Sequence, residues 1–542
     1  MKRKAVAAVL TAVMVASMFT GCGSDKGSSS AKSTSAASAA NDTVDEDGKV
    51  NGIMYQEGLP LVDEGAYTFS IFCDDSSESG EFIMLDEFKK QTNVDVDLKI
   101  YPYETATERL NLDLNSGDYA DVIGGWTLSD NAILTYGVNQ GVFIPLEDYF
   151  EKYCPNISAI LDLPGVREKM TAPDGHIYTI PYVCADSTVG YSPYINTKWL
   201  ENVGMSMPTT TDEFEAVLKA FKEQDANGNG DASDEIPFST DPNNKHIEAM
   251  AGYFGLPMNK LGIAIQNEKV VYGGVSDTYR EFLSWFHKLY AEGLVDVELY
   301  TQDSSTWEGK GNQDLYGVSI AYGSGEFTGI PAAEERGDFD SMPVLNTDKD
   351  GIWLRDTEGF SVYRTQAVIT NKAEHPEIIC RWFDNAFALE NGIGCNRGPV
   401  GVIVNKEDDG YHAIDTTTLS EEDQEKYSWG NLWPQSLPKY LPADFEFVEE
   451  HPMYDEKKAT EEAYEANLTK EIIPSYWIDL DKIDTFSDTN TAIKDFFEQQ
   501  QAQFVCGELD IDNDADWQAY VDGMYSLGLE DWLSLIHISE PT

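Results

Sequence analysis

The chain has 542 residues, with 95 acidic side chains against 37 basic ones and a formal net charge of −58 at pH 7. That length exceeds what one hydrophobic core supports, so two lobes with room for a large cleft are expected. So acidic a surface repels phosphate backbones and anionic headgroups, which excludes nucleic-acid binding and direct adsorption to lipid and suits a soluble protein in a salty exterior.

Lys2, Arg3 and Lys4 precede an apolar run over residues 5–19, and the segment ends Phe-Thr-Gly-Cys. A charged start and a short apolar stretch predict a secretory signal over residues 1–21 rather than a membrane span. The small residue before Cys22 resembles the bacterial lipobox, whose cysteine is diacylated and becomes the mature N-terminus. Palmitate-type chains on Cys22, at about 0.8 kcal/mol per buried methylene, would hold the protein at the outer face of the cytoplasmic membrane. A cleaved signal with an incidental cysteine is the alternative. Residues 22–50, rich in Ser, Ala, Asp and Gly, predict a flexible tether. Cys73, Cys154, Cys184, Cys380, Cys395 and Cys506 form no CxxC pair and no cluster, so neither a zinc site nor a dense disulfide framework is predicted, and their pairing stays open.

From Tyr67 the chain reads strand (YTFSIFC), helix (EFIMLDEFKKQTN), strand (VDVDLKIY), helix (TATERLNLDLNSG) and strand (DVIGGW). Strands alternating with helices of that length predict an α/β sheet wound from βα units. Ligands of such sheets sit off the carboxyl ends of strands, which makes Asp74, Asp75, Trp126 and Asp130 crevice candidates.

Residues 207–238 read MPTTTDEFEAVLKAFKEQDANGNGDASDEIPF. Phe214, Val217, Leu218 and Phe221 recur along one helix face, with Thr210 or Thr211 where an N-cap belongs. Asp225, Asn227 and Asn229 then fall on alternate positions, followed by Gly230 and Asp231. That spacing lets oxygen ligands converge on a hard cation while glycine makes the bend, so a structural calcium loop is predicted. The twelfth position of an EF-hand is Ile236 here and Pro237 stops an exiting helix, so Asp234 and Glu235 must close the site. A solvated Asx/Gly turn without metal is the alternative.

Further on, residues 277–296 predict a helix, GVSIAYGSGEF a strand ending in a glycine turn that carries Glu326, and GIWLRDTEGF a segment carrying Trp353 and Arg355. PEIICRWFDNAFA predicts another helix, YSWGNLWPQSLPKY a loop presenting Trp429 and Trp433, and two terminal stretches predict helices. LSLIHISEPT, residues 533–542, breaks the helical pattern and resembles a translated sequencing adapter.

The order NSGDYADVIGGW, GVFIPLEDYFEKYCPNI, TAPDGHIYTIPY, GYSPYINTKWLENVG and MPTTTDEFEAVLKAFKEQDANGNG resembles the family 1 extracellular solute-binding proteins, the lipoprotein receptors of ABC importers. It is most similar to their large carbohydrate-binding branch, which includes alginate-oligosaccharide binders. The resemblance implies a two-lobed α/β, periplasmic-binding-protein-like (type II) fold with hinge crossovers and a ligand cleft between the lobes. Lobe one would comprise residues 51–192 and 363–399, and lobe two residues 193–362 and 400–532. Tyr191 would stand at the first crossover, as a further ligand-binding candidate. The family's loop commonly reads DxNGNGxxDEIP, whereas this chain has one extra residue before Asp234. In sugar-binding relatives an aromatic directly after the DVI-type strand lies in the cleft, the place Trp126 takes here.

No Walker A, HExxH, GxSxG or GxGxxG motif is present, and the histidines are dispersed, so no enzyme is predicted. Aromatics are plentiful instead: 11 Trp, 28 Tyr and 24 Phe. Sugar rings offer an apolar face and a rim of hydroxyls, so their sites combine aromatic platforms with polar side chains. Trp126, Trp353, Trp429 and Trp433 are the platform candidates, and Asp74, Asp130, Glu326 and Arg355 the polar ones. Trp199, Trp285 and Trp382, on helical faces, read as core. The expected function is a monomeric, lipid-anchored receptor that captures an oligosaccharide for an ABC permease. A lipid-anchored glycan hydrolase, or a peptide-binding or sensory receptor of the same fold, is the alternative.

Overall fold

The computed structural model describes residues 42–75, 81–241, 246–266, 269–329, 337–442, 445, 447–448, 452–473, 477–478 and 482–538. The expected signal segment, Cys22 and the tether up to residue 41 lie outside the described residues, as do residues 539–542 of the suspected adapter stretch. Strands β1 (Tyr67–Asp74), β2 (Val94–Tyr101), β3 (Val122–Gly124) and β4 (Thr179–Ala185) come first, then β5 (Ser192–Asn196), β6 (Ile236–Thr240), β7 (Tyr316–Ala321) and β8 (Phe339–Ser341), and last β9 (Phe360–Ile369). The helices that pack on them include α1 (Ile83–Thr92), α2 (Tyr103–Ser116), α3 (Thr211–Glu223), α4 (Asp277–Ala291), α5 (Pro376–Ala386), α6 (Pro452–Tyr464), α7 (Ile483–Cys506), α8 (Asp514–Ser526) and α9 (Leu529–Ile538).

One five-stranded sheet has the order β2-β1-β3-β9-β4, with β1 parallel to β2 and β3 and β9 antiparallel to both its neighbours. Alternate β1 residues serve opposite faces, as the pleat requires. Phe69, Ile71 and Cys73 join the core that holds Trp382 of α5, while Phe72 joins a second core with Leu110 of α2. The sheet is thus covered on both faces. That second lobe has the four-stranded order β8-β5-β7-β6. Its core takes Phe214, Val217, Leu218 and Phe221 of α3, Phe282 and Phe286 of α4, and Phe497 and Phe504 of α7. Thr210 is the N-cap of α3, accepting a hydrogen bond from the Glu213 amide at 3.2 Å.

Three expectations are corrected. The tether does not extend to residue 50: Lys49–Val50 pairs with Met54–Tyr55, and Val50 and Met54 are buried in the first core. Residues 400–442 do not leave lobe one. Trp433 and Leu437 sit in its core, Trp433 packs on Trp382 at 5.7 Å and Phe88 at 5.1 Å, and Tyr440 bridges to Val183 of β4. The chain rejoins lobe two at α6, whose Tyr464 is buried there. The helical pattern does not break at residue 533 either. Helix α9 runs to Ile538, with Trp532 buried and Leu533 packed on the second core, because both continue its apolar face.

The six described cysteines are free thiols, and Cys73, Cys154, Cys380 and Cys395 are buried as small apolar fillers. No described helix is long and apolar enough to cross a membrane.

Candidate functional site

The site builds up from the end of β3. Asp74, at the end of β1 and fully buried, accepts hydrogen bonds from the Trp126 amide at 3.0 Å and the Thr127 amide at 2.6 Å. Gly125 has φ +134, and a Cβ there would overlap the Asp74 carboxylate, so only glycine lets the chain turn against that anchor. The result is an indole held by its own backbone yet 44% exposed. Two tyrosines back it: Tyr363 of β9 meets it edge-on at 5.3 Å and Tyr182 of β4 at 6.4 Å, and the two tyrosines stack on each other at 5.4 Å.

Lys439 lies beneath, 1% exposed, its ammonium 5.7 Å from the Tyr182 ring centre and 5.6 Å from that of Trp429, which is 48% exposed. Its Nζ donates to Gln435 Oε1 at 2.9 Å, and burial pushes it down to about 8. Two exposed tryptophans, Trp126 and Trp429, thus flank a tyrosine floor with one buried cation under it.

The wall continues across the hinge. Asp186, just past β4, accepts from the Tyr363 hydroxyl at 2.9 Å and from the Tyr322 hydroxyl, at the end of β7, at 3.2 Å. Tyr322 meets Tyr191 edge-on at 6.2 Å, and Tyr191 stacks on His246 at 4.0 Å with ring planes 10° apart. Burial holds the imidazole down at about 4, so this stack is neutral at physiological pH.

Lys457 of α6 donates to the Tyr322 carbonyl at 2.8 Å and lies 4.0 Å from its ring centre, burial pushing it down to about 8. The Glu326 carboxylate accepts from the Tyr322 amide at 2.9 Å, and that of Asp356 from the Gly190 amide at 2.6 Å. Both side chains reach solvent, yet enough protein crowds them that loss of bulk water raises Glu326 to about 7 and Asp356 to about 6. Accessible but crowded carboxyls belong to the walls of a concavity.

Of the sequence candidates, the structure brings Trp126, Tyr191, Glu326 and Trp429 onto this wall. Asp74 holds the Trp126 turn from within. Asp130 forms a two-pronged pair with Arg364, at 2.8 and 2.6 Å, and the Arg364 guanidinium lies 4.0 Å from the Trp477 ring centre. Trp353 and Trp433 are not platforms. Trp353 is 1% exposed and packs between Tyr253 and Tyr464, and Trp433 is fully buried against Trp382, because long-range neighbours close over both. Arg355 directs its guanidinium to Glu465 at 3.1 Å and to the Thr469 carbonyl at 3.1 Å, and so joins residues after α6 rather than the aromatic wall.

Sequence reasoning missed Tyr182, Tyr363, Tyr322, Asp186, Lys439 and Lys457. Tyr322 and Asp186 follow strand ends and could have been found by the rule that selected Trp126. Tyr182, Tyr363 and Lys457 read as ordinary strand or helix residues, and Lys439 as part of a loop.

In the loop after α3, the Asn227 and Asn229 amides reach Asp234 at 3.3 and 2.7 Å, and the Gly230 amide donates to Asp225 at 2.9 Å. Asp231 turns outward, accepting from the Ser233 amide at 3.1 Å and hydroxyl at 2.6 Å. Glu235 accepts from the Ala226 amide at 2.9 Å, and burial raises its carboxyl above the usual range. Asp225 Oδ1 and Glu235 Oε2 are buried without a hydrogen-bond partner. Two orphaned carboxylate oxygens beside Asn227, Asn229 and Asp234 are a donor set suited to a hard cation, so the residues fit calcium.

The model of the family described as "Bacterial extracellular solute-binding protein" matches residues 76–392. The chain is 32% identical over 379 residues to the fructooligosaccharide ABC transporter substrate-binding protein FusA of Streptococcus pneumoniae, covering 68% of each chain. It is 28% identical over 280 residues to lipoprotein LipO of Bacillus subtilis, covering 50% of this chain and 52% of that one. Among solved structures, S. pneumoniae FusA in complex with kestose superposes with TM-score 0.76 at 26% identity, over 86% of this chain and 98% of that one. Alginate-binding protein AlgQ2 shares the fold, with TM-score 0.70 at 22% identity over 89% and 99% of the two chains. A two-lobed, periplasmic-binding-protein-like architecture with matching sequence over more than half its length places this chain in the bacterial extracellular solute-binding protein family.

Proposed function

We propose that this protein captures an oligosaccharide between its lobes and delivers it to the permease of an ABC importer, without turning it over. The observation that carries this reading is the continuous wall of Trp126, Tyr182, Tyr363, Tyr322 and Tyr191, joined across the hinge by Asp186. Flat apolar sugar faces stack on such rings, while the carboxylates of Asp186 and Glu326 meet hydroxyls. The relatives agree in kind: FusA is named for fructooligosaccharides and has been solved with kestose and with fructo-nystose. Since the wall draws on both lobes, a bound glycan stabilises the closed arrangement, and the closed population is what a permease recognises.

Calcium is the second part of the reading. Asp225, Asn227, Asn229, Asp234 and Glu235 would hold the ion, which would staple the end of α3 to β6 and take no part in ligand chemistry. A FusA EF-hand mutant among the similar structures supports a cation loop in relatives. Diacylated Cys22 would keep a monomeric receptor at the outer face of the membrane.

A thermal-shift screen of the full chain tests the reading, using kestose, an alginate oligosaccharide, an N-glycan fragment and short peptides, with product analysis by chromatography. A ligand that binds only the native state raises the melting temperature by mass action. The expected result is a rise with one glycan class and no product. Product formation would favour a hydrolase, and a rise with peptides alone would move the ligand class.

A further inference from the structure

Cys154 joins two first-lobe helices, Glu147–Tyr153 and Pro155–Leu161, and Cys380 stands in α5. Both are buried in the same core, at 1% and 0% exposure. The helix junction is bolted to α5 beside them: the Asp384 carboxylate accepts from the Ile157 amide at 2.8 Å and from the Asn156 side-chain amide at 3.0 Å. Residues four apart share a helix face, so Cys380 lies one turn along α5 from Asp384, on the side that meets the junction. There the two thiols face each other and interact directly. The junction precedes the first crossover and α5 follows the second, with the whole sheet of lobe two inserted between them in the chain.

We propose that Cys154 and Cys380 are a disulfide-forming pair, and that their bond staples the two chain segments of lobe one to each other without passing through the hinge. The co-reactant is a small disulfide of the oxidised glutathione class, which an exported protein of an extracellular family can meet. One thiolate attacks a sulfur of the oxidant, forming a mixed disulfide and releasing one small thiol. The second thiolate then attacks the protein sulfur of that mixed disulfide and expels the other small thiol. The two cysteines together give up two protons and two electrons, and the oxidant's sulfur–sulfur bond is reduced to two thiols. Burial pushes the Cys154 thiol up, and its Cys380 neighbour adds to the rise, so thiolate is scarce once the core has closed. The bond therefore forms while the chain folds, and the closed core then shields it from reductants. Because the loop it closes contains the whole sheet of lobe two, it restricts the unfolded chain strongly, and longer loops bring larger stabilisation.

The test unfolds the full chain in urea with reductant and refolds it either with oxidised and reduced glutathione or with reductant alone. Free thiols are then alkylated, and the products are mapped by proteolysis and mass spectrometry. The expected result is a linked peptide pair carrying Cys154 and Cys380 after oxidative refolding, with a melting temperature several degrees above that of the reduced protein. That difference should vanish in Cys154→Ala. Folded, reduced protein given the same glutathione mixture without urea should keep both thiols, and rapid linking there would overturn the assignment of the step to folding. Recovery of Cys154 and Cys380 as alkylated thiols after oxidative refolding, or bonded to other cysteines, would overturn the pair. A linked pair with an unchanged or lower melting temperature would overturn its role as a staple. Should Cys154→Ala fail to fold, Cys380→Ala removes the same bond, and the peptide map of the wild type needs neither variant.

Discussion

Asp186 accepts a hydrogen bond from the Tyr322 hydroxyl at 3.2 Å, so a carboxylate just past a first-lobe strand holds a hydroxyl at the end of a second-lobe strand. Hinge motion that separates the lobes must lengthen or break this bond. Hydrogen bonds to charged groups contribute about 1.5–3 kcal/mol, enough to bias an open–closed equilibrium. Tyr322→Phe keeps the ring and removes the hydroxyl. Its expected effect is a loss of glycan affinity of up to about a hundredfold, together with a larger radius of gyration for the unliganded protein in small-angle X-ray scattering.

Trp126 and Trp433 make opposite predictions despite sharing a residue type. Trp126 is 44% exposed, so Trp126→Ala should lower glycan affinity at least tenfold while moving the melting temperature by only a few degrees. Trp433 is fully buried between Trp382 and Phe88, and Trp433→Ala should cost about 3–5 kcal/mol of stability through the cavity it leaves. Calorimetric titration and urea unfolding of both variants separate the two roles.

Lys439 predicts an alkaline signature. Burial lowers its ammonium from 10.5 to about 8, so between those values the unfolded chain holds a proton that the folded chain has released. Stability therefore rises with pH across that window and is lowest below pH 8, where the folded protein carries a buried charge. The contribution is on the order of 3 kcal/mol. Lys439→Met should remove this rise when melting is followed from pH 7.5 to 10.5.

Glu326 predicts a ligand effect near neutrality. With its carboxyl raised to about 7 by the protein crowded around it, the group changes charge between roughly pH 6 and 8. Sugar hydroxyls donate to the carboxylate and not to the proton-bearing oxygen of the acid, so binding favours the ionised form. Glycan affinity should rise with pH through 7 in the wild type and stay flat in Glu326→Gln, as read by titration at a series of pH values.

Calcium should raise the melting temperature and a chelator should lower it. At a hundredfold excess over the dissociation constant the stabilisation is about 2.7 kcal/mol. Asp225→Asn and Glu235→Gln, which neutralise the two carboxylates carrying orphaned oxygens, should each abolish most of the calcium response while leaving glycan affinity nearly unchanged.

Much of the architecture was legible in the sequence, because it is written in local periodicity. The alternation of strands and helices after Tyr67, the apolar face of α3 with its Thr210 cap, and the Asp/Asn/Gly spacing of the cation loop each need only a dozen neighbouring residues to be read. What only the tertiary structure decided was which aromatic reaches solvent. Trp353 and Trp433 stand in glycine- and proline-rich segments much like those of Trp126 and Trp429, and differ because Tyr253, Tyr464, Trp382 and Phe88, distant in the chain, close over them. The same holds for residues 400–442, kept in lobe one by burial of Trp433 and Leu437, and for Asp186, which gathers hydroxyls from strands on both sides of the hinge. Burial and hydrogen bonding sum over neighbours in space, and a one-dimensional pattern carries no record of which strands will bring those neighbours together.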